Sequence, residues 1–136
     1  MEQNQTDNKS TTRAPGGSRV AVLGASTKPE RYSFRAVHEL KERGYMPIPV
    51  HPAGHFVDGV PGVKSLDRIK DCVDTLTIYV NAKISSEQEK DILELKPRRV
   101  IFNPGAENKE LAVVLKKAGI EVLEACTLVM LHTGAY

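Results

Sequence analysis

The chain has 136 residues, of which 40% are hydrophobic and 26% are charged, and its formal net charge at pH 7 is +2. This length predicts one domain, and so balanced a charge disfavours nucleic acid as a partner, because nucleic acid selects a strongly basic face. The two cysteines, Cys72 and Cys126, lack the spacing of a zinc site or a disulfide framework. No segment approaches the roughly 18 consecutive apolar residues of a membrane span. The composition therefore predicts a cytoplasmic protein with no metal site and no membrane contact.

The first 17 residues differ in composition from the rest of the chain. They are rich in Asn, Gln, Thr and Ser, end in Pro15-Gly16-Gly17, and lack the apolar core of a signal peptide. Such a segment buries too little surface to offset the entropy lost on ordering. We expect residues 1–17 to be a disordered tail and residues 18–136 to form the domain.

Five short apolar runs, rich in β-branched residues, predict strands that are covered on both faces. These runs are residues 19–24, 46–50, 75–80, 98–103 and 120–125. Pro47 and Pro49 cannot donate to a strand ladder, so the second run predicts a short or irregular strand. Asp58-Gly59, in the segment 55–63, predicts a small hairpin or turn after that strand.

Helical segments alternate with these runs. The predicted helices are residues 33–43, 66–71, 86–95 and 108–118. Ser86 and Glu89 match a capping box, and Gly119 is a typical residue for a helix end. Alternating strands and helices indicate parallel strands joined by right-handed crossovers. We therefore expect a three-layer α/β sandwich with a five-stranded parallel sheet of order 3-2-1-4-5.

In an open parallel sheet, ligands bind beyond the carboxyl ends of the strands. The residues at these ends are Gly24-Ala25-Ser26, His51-Pro52, Asn81, Asn103-Pro104-Gly105 and Cys126. None is a carboxylate. This disfavours a magnesium-dependent phosphoacceptor domain, and it disfavours an NAD site, which needs an acidic residue after the second strand. A Walker A loop is disfavoured as well, because no second glycine follows at the required spacing.

The residues after the first predicted strand are suited to an anion. Gly24-Ala25-Ser26 combines two small residues, which let backbone amides approach a ligand, with a hydroxyl that can donate. Ser33 adds a second hydroxyl at the start of a predicted helix, where free N–H groups and the helix dipole favour negative charge. Lys28 and Arg31 bring full positive charges to the same place. The alternative is a solvated surface loop that happens to be basic.

The chain offers no catalytic constellation. His38 and His132 have no acidic partner at any spacing typical of a catalytic motif, and Cys126 is interpreted as a structural thiol because no base is near it in sequence. His51 is interpreted as a residue that lines a pocket. These observations favour binding over catalysis.

Three motifs occur together in this chain: the turn after the first strand, Val50-His51-Pro52 and Asn103-Pro104-Gly105. In this combination the chain resembles the small stand-alone coenzyme A-binding proteins. These are Rossmann-like domains similar to the N-terminal domain of the succinate–coenzyme A ligase alpha chain. The likeness covers about residues 18–130, and its most specific stretch is VAVLGASTKPERYSFRAVHELKERGYMPIPVHP. His51 departs from the family pattern, which has Asn at that position.

The resemblance implies coenzyme A or an acyl-coenzyme A as the ligand, held by residues that follow four of the strands. Gly24, Ala25 and Ser26 would face the phosphates, and Lys28 and Arg31 would neutralise their charge. The remaining positions that it assigns to the ligand are Val50, His51 and Pro52 beside the adenine or ribose, Tyr79, Val80 and Asn81 beside the nucleotide, and Pro104 and Gly105 along the pantetheine path.

Three functions stay open at this point. The first is a non-catalytic module that binds coenzyme A as a sensor, carrier or regulatory subunit. The second is an enzyme, or an enzyme subunit, that uses a dinucleotide or acyl-coenzyme A together with a partner chain. The third is a scaffold that has lost its ligand. A protein partner or a homo-oligomer is compatible with each.

Overall fold

A five-stranded parallel sheet forms the centre of the protein in this computed structural model, which describes residues 18–136. The tail expected over residues 1–17 lies outside the described residues. The strands are β1 (Arg19–Leu23), β2 (Met46–Val50), β3 (Thr75–Ile78), β4 (Arg99–Phe102) and β5 (Glu121–Glu124). All five predicted strands are present and all pair in parallel, so the predicted α/β fold class is confirmed.

The order of the strands is β2-β1-β3-β4-β5, so β3 lies beside β1 and not beside β2 as the order 3-2-1-4-5 requires. The prolines of β2 explain the difference. The backbone N–H of His51 points away from β1 and donates to the Val63 oxygen at 3.0 Å. Because backbone direction alternates along a strand, the nitrogens of Pro47 and Pro49 point the same way. A proline nitrogen carries no proton, so this side of β2 cannot pair with a full strand, and β2 is an edge strand.

Helices cover both faces of the sheet. They are α1 (Tyr32–Glu42), α2 (Ala82–Glu87), α3 (Glu89–Leu95), α4 (Lys109–Lys117) and α5 (Thr127–Thr133), and a 3-10 turn spans Leu66–Arg68. Among residues 18–136, no helix is long and apolar enough to cross a membrane.

Three helical segments differ from the sequence-based expectation. Where a helix was predicted over 66–71, the structure has only the 3-10 turn. Where one helix was predicted over 86–95, the structure has two, α2 and α3. Helix α2 begins earlier, at Ala82, because the side chain of Asn81 accepts a hydrogen bond from the Ile84 N–H at 3.0 Å. Ser86 lies inside α2, so the expected capping box does not form. Helix α5 was not predicted.

The two cores lie on opposite faces of β1. Val20 and Val22 pack in one core with residues of α1 and α5, whereas Ala21 and Leu23 pack in the other with residues of α3 and α4. Successive side chains of a strand point to opposite faces, so β1 contributes to both cores. All four side chains are 0–6% exposed, which places the carboxyl end of β1 at the centre of the molecule.

The segment after β2 contains the predicted hairpin. Val57 and Val60 exchange two backbone hydrogen bonds, at 3.0 and 2.8 Å, around Asp58 and Gly59. Both central residues have positive φ, 51° and 77°, as a type I′ turn requires. The hairpin is therefore confirmed.

The tip of the hairpin is held against α1 by ionic contacts. Asp58 accepts from Lys41 Nζ at 2.9 Å and pairs with His38 Nδ1 at 2.8 Å, and these hydrogen bonds lower the pKa of the Asp58 carboxyl. His132 likewise lies 3.8 Å from a Glu39 oxygen. Both histidines thus have an acidic neighbour that no motif spacing indicates, because the fold joins residues from different parts of the chain.

Asn108 ties α4 to α2. Its carboxamide nitrogen donates to the Ala82 oxygen at 3.1 Å and to the hydroxyls of Ser85 and Ser86, both at 2.9 Å, and its oxygen accepts from the Leu111 N–H at 3.0 Å. The residue is 5% exposed. It is therefore a helix cap and a buried link between two helices.

We expect Asn108→Ala to lower the free energy of unfolding by about 2–3 kcal/mol, because it removes a helix cap and leaves buried polar groups without partners. Asn81→Ala is the matched control, since Asn81 is an exposed cap with one hydrogen bond to α2. It should cost about 0.5–1 kcal/mol. Urea unfolding of the two variants measures the difference, and equal losses would contradict the buried link.

Candidate functional site

The chain leaves the centre of the sheet through a turn that is held by β2. The Val50 carbonyl oxygen accepts hydrogen bonds from the N–H groups of Gly24 at 2.9 Å and Ala25 at 3.3 Å. Gly24 has φ +90°, a conformation that side chains disfavour. Ala25 and Val50 are buried, 0% and 1% exposed, so their side chains belong to the core and their backbone shapes the turn.

Gly24 also meets β3 at close range. A Cβ atom built on Gly24 would lie 2.8 Å from Val80 Cγ1 and 3.4 Å from the Val80 nitrogen. The Tyr79 N–H donates to the Leu23 oxygen at 2.9 Å, which fixes the end of β3 beside the turn. Both the backbone conformation and the contact with Val80 therefore require glycine here.

Two serines brace the loop between the turn and α1. The Ser26 N–H donates to Ser33 Oγ at 3.0 Å, and the Lys28 N–H donates to Ser26 Oγ at 3.0 Å. Ser33 is 6% exposed, so it is a buried brace for the loop. Ser26 is half-buried, and its O–H remains as a donor at the open side of the loop.

Helix α1 begins with an unusual concentration of positive charge. Arg31 is its cap residue and forms no side-chain cap hydrogen bond, and the first turn contains no acidic residue. Lys28, Arg31 and Arg35 are all exposed, and none forms an ion pair with another described residue. The positive end of a helix dipole repels cations, so this arrangement is stabilised when an anion lies among them.

Two histidines lie beyond β2. The rings of His51 and His55 stack with centroids 4.4 Å apart and an interplanar angle of 25°. His51 Nδ1 accepts a hydrogen bond from the Ala53 N–H at 3.0 Å. Burial and the neighbouring His55 lower the pKa of His51. Pro52 is exposed beside this pair.

The residues that end β3 have different surroundings. The Tyr79 hydroxyl is buried without a hydrogen-bond partner among the described residues, and burial raises the pKa of the phenol. Val80 is half-buried against Gly24, whereas Asn81 is exposed and caps α2. The backbone of Tyr79, the side chain of Val80 and the cap at Asn81 thus form one side of the turn.

Asn103 connects β3, β4 and α5. Its carboxamide nitrogen donates to Thr77 Oγ1 at 2.7 Å and to the Ile78 oxygen at 3.0 Å, and its oxygen accepts from the Thr127 N–H at 2.9 Å. Asn103 is 2% exposed. It therefore fixes the start of α5, and with it Cys126, at the carboxyl edge of the sheet.

Pro104 and Gly105 form an exposed turn after β4. Gly105 has φ +90°, and its N–H donates to a Glu107 carboxylate oxygen at 3.0 Å. The described hydrogen bonds do not connect this turn with the one at Gly24. The two turns share an edge of the sheet without touching through polar groups.

The structure thus assembles most of the predicted site around the ends of β1, β2 and β3. Direct contacts join Gly24, Ala25, Val50 and Val80, and hydrogen bonds join Ser26, Lys28 and Ser33. Arg31 lies at the start of α1, next to this loop. Pro104 and Gly105 stand apart, on the far side of β3.

The predicted site left out His55 and Arg35, and it included Asn103 only as part of a turn. His55 stacks on His51 across three intervening residues, a contact for which the spacing carries no signal. Arg35 completes the cation cluster, and its position one helical turn after Arg31 places both on the same side of α1. Asn103 was read as part of a turn, and only the structure shows it as a buried hub.

The described residues contain no group of three or more His, Cys, Asp or Glu that is arranged to hold a metal ion. What the region offers instead is the uncapped N–H groups in the first turn of α1, hydroxyls and cations, which are the usual partners of phosphate.

Comparison with known proteins also points to a ligand that carries phosphate. A family model described as a CoA binding domain matches residues 18–132. A crystal structure of a protein without an assigned function has 40% sequence identity and a TM-score of 0.82, covering 88% of this chain and 98% of its own. A Thermus thermophilus protein, solved as cell-free ID.343, is 31% identical with a TM-score of 0.80, covering 88% of this chain and 90% of its own. The uncharacterized protein YneT of Bacillus subtilis (strain 168) is 27% identical over 114 residues, 84% of either chain.

We expect Gly24→Ala to destabilise the fold by at least about 1 kcal/mol more than Gly119→Ala. Both residues have positive φ, +90° and +86°, but a Cβ at Gly119 would meet nothing within 4 Å. The control thus carries the backbone strain alone, and Gly24→Ala adds the collision with Val80. Thermal unfolding of both variants measures the difference, and equal shifts would show that Val80 yields freely.

The lowered pKa of His51 makes stability depend on pH. Because the folded-state pKa of His51 lies below its ordinary value of 6.5, the unfolded chain binds more protons in the window between the two values. The free energy of unfolding therefore rises with pH through that window and falls as the solution is acidified below about pH 6.5. We expect His51→Asn to reduce this dependence in urea titrations, and His132→Asn serves as the control. Identical pH profiles for His51→Asn and the unmodified chain would contradict the expectation.

Proposed function

This chain belongs to the family of CoA binding domains, and from that premise we propose that it binds coenzyme A or an acyl-coenzyme A at the carboxyl edge of its sheet. The role that fits best is a non-catalytic sensor, carrier or regulatory module. The observation that carries the proposal is the start of α1, where three cations that form no ion pair with any of residues 18–136 surround a helix end without a side-chain cap.

The phosphate groups of coenzyme A account for this charge. Coenzyme A carries a pyrophosphate and a 3′-phosphate, so it needs more positive charge than NAD. In the proposed arrangement the Gly24-Ala25-Ser26 turn, whose own N–H groups donate to Val50 and Ser33, lies against the pyrophosphate. The Ser26 hydroxyl donates to the pyrophosphate, and Lys28 and Arg31 neutralise its charge. Ser33 contributes indirectly, since its hydroxyl fixes the Ser26 backbone.

The nucleotide end is proposed to lie between the ends of β2 and β3. His51 and Pro52 border it on one side, and Tyr79-Val80-Asn81 borders it on the other. The residue that follows β2 is His51 and not an acidic residue, so the usual partner of the NAD ribose is missing at that position. Pro104 and Gly105 are proposed to flank the pantetheine arm as it leaves across β4.

The non-catalytic role is supported by what three polar side chains near the strand ends already do. Asn81 caps α2, Asn103 holds the start of α5, and Glu107 accepts from a backbone N–H. Each is engaged in holding the fold. A general acid or base must instead be free to exchange a proton with a substrate.

The test is a titration of the purified full chain with coenzyme A, dephospho-coenzyme A and NAD, followed by native mass spectrometry and calorimetry. Coenzyme A should bind most tightly. Lys28→Ala with Arg31→Ala should weaken the binding of coenzyme A by at least about 30-fold and flatten its salt dependence, because each of the two charge-assisted phosphate contacts is worth on the order of 1–3 kcal/mol.

The matched control is Lys116→Ala with Lys117→Ala, which removes the same charge from the last turn of α4. It should leave the affinity unchanged. Tighter binding of NAD than of coenzyme A would overturn the proposed ligand. Equal losses in the two double variants would show that net charge, and not the α1 site, governs binding.

A further inference from the structure

His51 is fixed in place beside the phosphate turn by backbone contacts on both sides. Its N–H donates to the Val63 oxygen at 3.0 Å, and the carbonyl of the preceding residue, Val50, holds Gly24 and Ala25. The backbone that carries the His51 ring is therefore held by the sheet on one side and by the loop on the other. Whatever its side chain offers to a ligand is offered at a defined place.

The hydrogen bond from Ala53 decides which ring nitrogen carries the proton. His51 Nδ1 accepts from the Ala53 N–H at 3.0 Å, and a nitrogen that accepts cannot itself be protonated. The proton of the neutral ring therefore resides on Nε2. No described residue forms a hydrogen bond with Nε2. This atom is also not one of the buried polar atoms that lack a partner, so it is exposed to solvent.

The surroundings also oppose a positive charge on this ring. The His55 ring stacks on it at 4.4 Å, and a charged His51 would face this second ionisable ring. Charging the ring would put a proton on Nδ1 and break the hydrogen bond from Ala53. Burial acts in the same direction, with His55 as the titratable group that adds to it. Lys64, whose side chain lies against Gly54 in the same loop, is another cation on this side of the site.

We propose that His51 is a specificity-determining residue that donates its Nε2–H, as a neutral ring, to an uncharged acceptor of the ligand, a ribose hydroxyl or an adenine nitrogen, and not to a phosphate. This inference rests on the proposed function. It divides the site by charge, because the cations beside α1 take the phosphates and the loop after β2 takes the nucleoside.

The tautomer is tested first, in the ligand-free protein. The chain has four histidines, so a two-dimensional ¹⁵N–¹H spectrum of the imidazoles is simple, and His51→Asn identifies the signal of His51. We expect the Nε2–H tautomer near neutral pH. A His51 signal that shows the Nδ1–H tautomer, or an imidazolium at pH 7, would overturn the inference whether or not coenzyme A binds.

The second test compares coenzyme A with dephospho-coenzyme A on three variants. His51→Ala should weaken both ligands by the same factor, about three- to tenfold, the effect of one neutral hydrogen bond. His51→Asn should keep most of the affinity, since its amide also donates. The ratio of affinities between the unmodified chain and His51→Asn should be equal at about pH 7 and about pH 8, because the pKa of His51 is lowered from its ordinary value and comparing the two chains cancels the titration of the ligand's own phosphate. His132→Asn is the control and should change nothing.

The outcomes separate the two proposals. If coenzyme A binds and His51→Ala has no effect, the inference about His51 is wrong while the proposed function stands. A loss confined to coenzyme A, and larger at the lower pH, would make His51 a cationic phosphate ligand and overturn the inference. If no nucleotide binds, the proposed function falls and this inference falls with it.

Discussion

The carbonyl oxygen of Val50 accepts hydrogen bonds from both Gly24 and Ala25, and the geometry of the carboxyl edge depends on these two bonds. They require β2 to lie next to β1, and they turn the chain out of the sheet at its most buried strand. On the other side of the same turn, Val80, which follows β3, leaves no room for a side chain at Gly24. The neighbouring strands thus fix the turn from both sides. The start of α1 and the ring of His51 both follow from it.

The strands were predictable because each is a short, β-branched run with little local ambiguity. The order of the strands was not predicted, although the necessary information lies in Pro47 and Pro49. These residues were read as a local irregularity, whereas their physical effect is to leave one side of β2 without donors and so place it at an edge. Helix α5 escaped prediction for another reason. Its start is set by the hydrogen bond between Asn103 and the Thr127 backbone, a contact between residues 24 positions apart.

The same distinction separates the predicted and the unpredicted parts of the site. The turn at Gly24 and the cations after it lie within one short stretch, so residue type and order reveal their chemistry. The stacking of His55 on His51, the pairing of His38 with Asp58 and the hub at Asn103 arise from loop closure and helix packing. Such contacts depend on where the backbone goes after a turn, and residue spacing does not encode that path.

The two edges of the sheet differ in a way that bears on self-association. At the β2 edge, Pro47 and Pro49 offer no N–H groups, and Val63 occupies the ladder positions beside Pro49 and His51. Among the described residues no strand lies beyond β5, but this edge is only four residues long and has an exposed glutamate at each end. Two copies aligned antiparallel along β5 would bring like charges together. The prolines that determine the strand order thus also protect the β2 edge, and together with the glutamates of β5 they leave neither edge able to recruit another chain readily into a growing aggregate.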